Sequence, residues 1–157
     1  MPGGTTCEIG VKLLQFVAMV LTALALVPGG AHLFALPNKI SLSESDYFIA
    51  QSAYRGWALL GIVLIGAAIA NFALALLIRA QRAPSIFALI GGLCLVATLV
   101  IFFAFTFPAN QATNNWTQIP PDWEQLRWRW ETSHAVNAVI TFCAFCSLTI
   151  SLLLTRK

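Results

Sequence analysis

Four long apolar stretches follow one another along this chain and leave room for little else. A hydrocarbon core about 30 Å thick is crossed by about 20 mostly apolar residues, each rising about 1.5 Å along a helix. The stretches lie at about residues 11–36, 57–78, 86–107 and 134–154. Each is continuously apolar rather than alternating, and only a helix satisfies its own backbone in lipid without closing a barrel. The sequence therefore predicts an all-α protein, a bundle of four transmembrane helices forming a single membrane domain over residues 1–157. The first stretch follows a short polar start, as a secretory signal does, but its apolar part exceeds the usual signal core of about 7 to 15 residues. It counts as a span. The composition agrees, with only 10% of residues charged against roughly a quarter in soluble domains.

A net charge of +3 with scattered basic residues gives no surface for nucleic acid. The basic residues read instead as topology signals. Lys12, Arg79, Arg82, Arg156 and Lys157 flank one side of the spans, and Lys39, Arg55, Arg127 and Arg129 the other. The first group is nearly free of acids, and Arg79 and Arg82 share a very short loop, where the positive-inside rule bears most strongly. A multi-pass integral membrane protein with both termini in the cytoplasm is expected, with the loops around Lys39 and Trp116 outside. Cys94, Cys143 and Cys146 fall within spans and Cys7 in the N-terminal tail. Reduced thiols are expected, because Cys143 and Cys146 have the spacing of a redox pair but not its strand-to-helix setting.

Two helices are expected to overhang on the outer side. Ser43 is followed three residues later by Asp46, a capping-box-like start, and no Gly or Pro intervenes before Gly56. The second helix should therefore begin well outside the membrane. Pro120-Pro121-Asp122 is likewise a helix start, and nothing breaks the chain from Trp123 to Leu154. That fourth helix would be about 50 Å long. The third should end at Phe107-Pro108, and Pro28-Gly29-Gly30 should kink or thin the first.

The overhangs carry most of the polar chemistry: Tyr47, Gln51, Tyr54 and Arg55 on the second helix, and Arg127, Glu131 and His134 on the fourth. Trp123, Arg127, Trp130 and His134 continue one stripe at helical spacing. Tryptophans suit an interfacial belt, whereas Glu131 and His134 stand where the apolar run begins and favour a bundle interior. One connected network of Arg127, Glu131 and His134 is expected. His32, near the outer end of the first helix, should lie level with His134. Asn110, Trp116 and their polar loop would lie over the mouth of the bundle. Asn71 and Asn137, inside the spans, need partners on neighbouring helices.

The pattern Pro108-x-Asn110, a Trp after a short polar loop, then Pro121-x-Trp123-x-x-Leu126-Arg127-x-x-Trp130-Glu131-x-x-His134-Ala135 resembles the anthrone oxygenase-like family of small four-helix membrane proteins. The likeness takes in the first-helix glycines and the register of the spans. It implies an oxidoreductase, a monooxygenase-type enzyme that oxidises a reduced aromatic polyketide to a quinone without a recognised cofactor motif. Asn110, Trp123, Arg127, Trp130, Glu131 and His134 match the pattern. Asn137 departs from it, standing where a basic residue is common in relatives, so a quinol or a sterol-like lipid is an alternative substrate.

The enzyme reading makes His134 the general base, Arg127 the stabiliser of the resulting oxyanion and Glu131 the group that positions them. His32, Tyr54, Arg55, Asn110, Trp116, Trp123 and Trp130 would bind a hydrophobic small molecule, with membrane lipid around the whole. No cofactor is expected. A second class of function is a non-catalytic accessory subunit of a larger membrane complex, or a homo-oligomer. Small residues such as Gly61, Gly66, Ala67, Ala70, Gly91 and Gly92 would permit its close helix contacts. A third is haem or metal binding through His32 and His134.

Overall fold

A computed structural model describes residues 3–156, with side chains from residue 8 onward; the Cys7 thiol and Lys157 lie outside the described residues. Every regular element in it is helical. Helix α1 spans Gly3–Lys39, α2 Glu44–Ser52, α3 Leu60–Leu77 after a short 3₁₀ turn at Trp57–Leu59, α4 Arg82–Ile101, α5 Phe107–Ala112 and α6 Trp123–Leu154. A π-helical segment, Phe102–Thr106, joins α4 to α5 without a break. Four stretches are long and apolar enough to cross a membrane: Glu8–Lys39, Trp57–Leu77, Arg82–Ala112 and Trp123–Leu154. The chain is thus a multi-pass membrane protein built on a four-helix bundle. Helices α1 and α4 each pack between α3 and α6, which closes the ring. Both ends of the chain emerge at one end of the bundle, here the terminal end; α2 and the 113–122 loop cover the other, the capped end.

Alanines and glycines make many of the close contacts in the interior, beside buried Leu74, Leu95 and Leu148, while many large apolar side chains face outward. Ala18, Ala67, Ala70, Ala88 and Ala144 are buried, while Phe16, Ile62, Ile69, Phe103 and Leu153 are exposed. Lipid is as apolar as leucine, so nothing drives large side chains inward, and close backbone approach does the packing. Gly29 shows the approach: a Cβ there would stand 3.2 Å from the Ala138 Cα of α6. Gly91 shows it again, since its Cβ would come within 2.7 Å of the Asn71 side-chain oxygen. Asn71 itself is fully buried and donates to Thr22 Oγ1 at 3.1 Å and to the Ala67 carbonyl at 2.9 Å, while its Oδ1 has no hydrogen-bond partner. Asn137 donates to the Thr98 carbonyl of α4 at 3.2 Å. Cys94, Cys143 and Cys146 are free thiols.

The fourth helix runs from the predicted start through to Leu154. Three other boundaries differ from the sequence reading. Helix α1 continues through Pro28 and Pro37 to Lys39, because each proline removes a single backbone donor in an otherwise long ladder. The second overhang is a helix of its own: Ser43 caps α2 by accepting from the Asp46 amide, but the chain turns at residues 53–56, where Gly56 adopts φ +87°, before α3 begins. The third span does not end at Phe107-Pro108 but winds on through a π-helical segment to Ala112.

Candidate functional site

Lys39 sits in the last turn of α1, where a cation complements the carbonyl end of the helix. Side chains on a helix lean back toward its N-terminus, so the Lys39 stem reaches into the bundle instead of out toward water. The residue is only 5% exposed and Glu131 only 1%. Their charged groups meet at 2.7 Å between Lys39 Nζ and Glu131 Oε1. Two turns earlier on the same face of α1, His32 places Nδ1 3.4 Å from that ammonium. The Lys39 charge also lies over the rings of Tyr54 and Trp130, at 4.7 and 5.0 Å from their centroids. A buried ammonium is costly unless paired, and here one carboxylate and two aromatic faces compensate it.

The short helix α2 completes the Glu131 environment. Tyr47, fully buried, donates its hydroxyl to Glu131 Oε1 at 3.0 Å and accepts from the Gln51 amide one turn on. Burial, and then the Glu131 charge, push the Tyr47 phenol above its ordinary value, and the same two causes raise Tyr54. Both phenols therefore stay protonated and keep a hydrogen to donate. The result is one chain of contacts: His32, Lys39, Glu131, Tyr47, Gln51. It draws on α1, α2 and α6 and holds the three together.

The two histidines come together as expected, with ring centroids 4.2 Å apart and planes 34° from parallel. Trp130 packs edge-on against both, at 4.8 Å from His32 and 4.2 Å from His134. Tyr54 and Trp57 close the far side of His32 at 4.3 and 5.7 Å. His32 is buried and His134 only partly so. Among the described residues, no group of three or more His, Cys, Asp and Glu side chains is placed to hold a metal ion.

Asn110 organises the tryptophans. Its side-chain oxygen accepts from Trp130 Nε1 at 2.8 Å and from Trp116 Nε1 at 3.0 Å. Trp116 reaches that position through three successive left-handed residues, Asn114, Asn115 and Trp116, with φ of 47°, 55° and 62°. Such a conformation is unusual for a bulky side chain and costs on the order of 1–3 kcal/mol per residue. It is held by the Trp116 amide donating to Thr113 Oγ1 at 3.1 Å and by the ring packing on Tyr47 and Phe48 at 5.2 and 5.6 Å.

Arg127 is not the partner of Glu131. Its guanidinium is buried, donates to the Leu42 carbonyl at 2.8 Å and lies over the Trp123 ring at 4.6 Å, so it pins the chain between α1 and α2. Arg127, Glu131 and His134 share one region but do not form the expected network: Glu131 pairs with Lys39, Arg127 donates to the Leu42 carbonyl, and His134 meets the cluster through its ring contacts with His32 and Trp130. Arg55 stands exposed in the turn after α2 and makes no side-chain hydrogen bond or ion pair among the described residues. The sequence reading placed Lys39 in an outer loop and passed over its role, and Trp57 with it. The seven-residue spacing from His32 puts Lys39 on the same helical face, a signal that becomes visible once α1 is carried past Pro37.

Three buried polar atoms of this cluster have no hydrogen-bond partner: Glu131 Oε2, Gln51 Oε1 and Arg127 Nε. Compared with protein-family models, with curated proteins and with solved structures, the chain matches none.

Proposed function

We propose that the capped end binds a flat, hydrophobic phenol- or quinol-like molecule and takes a proton from it, the chemistry of a cofactor-independent oxygenase. The observation that carries this reading is the Glu131 carboxylate. One of its oxygens takes both the Lys39 and the Tyr47 contact, while the other, equally buried, has no partner. An ion pair kept only for stability is expected to satisfy every lone pair, because a half-satisfied buried network costs more than an apolar one. Orphaned atoms inside an aromatic wall are what a ligand with its own hydroxyl would complete.

In this reading His134, whose ring stacks on His32 and which makes no hydrogen bond or ion pair among the described residues, is the base that meets the substrate. Lys39 takes the part of oxyanion stabiliser first assigned to Arg127, whose guanidinium is committed to the Leu42 carbonyl. Tyr47 and Gln51 hold Glu131, and Trp130 and Tyr54 offer ring faces. Proton removal makes an anthrone-type substrate reactive toward dioxygen; one anthrone and one dioxygen give one quinone and one water. A positioned base contributes about 10²–10⁴-fold to such a step. The test is oxygen uptake and tryptophan quenching by purified protein in detergent with anthrone as the probe. Saturable quenching and uptake above the uncatalysed rate are expected, with uptake lost in His134→Ala. Neither quenching nor uptake in the wild-type protein would overturn the reading, and a Soret band in its absorption spectrum would assign the histidines to haem instead.

The capped end faces outward in the same proposal, with both termini in the cytoplasm, because Arg79 and Arg82 share the short loop at the terminal end. Single cysteines introduced at Ala83 and Gln118, both exposed, report this with an impermeant thiol reagent on intact cells. Labelling at Gln118 alone is expected. Labelling at Ala83 alone would invert the topology.

A further inference from the structure

A second feature lies on the membrane-facing side of the bundle, apart from the polar cluster. Pro108 has no backbone N–H to give the carbonyl four residues earlier, that of Ala104. Arg129 of α6 supplies the donor, at 2.8 Å, and its guanidinium lies 5.4 Å from the Phe105 ring centroid. Behind it, Thr106 and Ser133 join their hydroxyls at 2.7 Å. The π-helical segment and α6 thereby frame an open groove of about 560 Å³.

The groove is amphipathic along its length. Gln125, Arg129 and Thr132 line it toward the capped end, and Ile101 and Val136 line it deeper in the bundle. Arg129 is exposed there, as is Trp128 beside it. Among the described residues the carboxylate ion pairs are Lys12 with Glu8 and Lys39 with Glu131, so Arg129 has no carboxylate partner. A guanidinium carries five N–H donors, of which the Ala104 carbonyl uses one. A cation at the edge of the hydrocarbon, above an apolar slot and beside an interfacial tryptophan, is complementary to an anion that carries an acyl chain.

We infer that this groove binds one anionic phospholipid, its headgroup phosphate on Arg129 and one acyl chain along Ile101 and Val136. The site is independent of the chemistry proposed for the capped end. Native mass spectrometry of the full chain released from mixed phosphatidylglycerol and phosphatidylcholine nanodiscs tests it. One retained phosphatidylglycerol, favoured about fivefold over phosphatidylcholine, is expected from a single interfacial arginine. Arg129→Gln keeps an amide donor for the Ala104 carbonyl and should abolish the preference, whereas Arg82→Gln at the terminal end should leave it. Equal retention of the two lipids by the wild-type protein would overturn the proposal, as would an unchanged preference in Arg129→Gln. Should Arg129→Gln fail to fold, photoactivatable phosphatidylglycerol on the wild-type protein decides: crosslinks within residues 101–105 or 125–136 support the site, and crosslinks confined to other segments refute it.

Discussion

Glu131→Gln is expected to lower the stability of the folded bundle by about 3–5 kcal/mol, the cost of leaving one member of a buried ion pair without its partner. Lys39 would then sit 5% exposed beside a neutral amide, with only His32 and two ring faces to hold its charge. Lys39→Met should cost a similar amount by stranding the carboxylate. The double variant Lys39→Met with Glu131→Gln removes both charges and should recover most of the loss, since pairs of neutral residues replace buried ion pairs at little cost. Thermal unfolding of the four proteins in one detergent measures the cycle. Additive losses in the double variant would show that the two groups act independently.

Trp130→Ala should be as damaging, at about 3–5 kcal/mol. The side chain is 5% exposed and touches Trp116, Tyr54, both histidines and the Lys39 ammonium. Two milder changes separate its packing from its hydrogen bond. Trp130→Phe keeps one ring but loses the Asn110 contact and part of the buried indole volume, and about 1–3 kcal/mol is expected. Asn110→Ala leaves two indole donors unsatisfied, so a loss of about 1–3 kcal/mol for each that water fails to reach is expected. Unfolding followed by tryptophan emission ranks the three, and a Trp130→Ala loss no larger than that of Trp130→Phe would show that the cluster is loosely packed.

The number, order and approximate limits of the spans were legible because apolar run length is a property of one segment at a time. The convergence of His32 and His134 was legible too, since four antiparallel crossings fix which residues share a depth. What escaped the sequence were choices among partners. Helical spacing offers Glu131 an arginine four residues away on its own helix, yet the carboxylate pairs with a lysine from the other end of the chain. Periodicity ranks neighbours along a helix but says nothing about a side chain arriving from another. A proline misled in a related way. Pro108 reads as a stop, yet the helix continues, with Arg129 supplying a donor to the Ala104 carbonyl.

The ion pair between Lys39 and Glu131 also joins the first transmembrane segment to the last, which has a bearing on biosynthesis. When α1 leaves the ribosome and enters the bilayer, its terminal lysine has no carboxylate to meet, and the long side chain can only extend toward the lipid headgroups. Its counterion arrives after three further segments have been translated and inserted. The capped end thus closes only once α6 is in place, and a chain truncated before α6 leaves the Lys39 ammonium without its carboxylate.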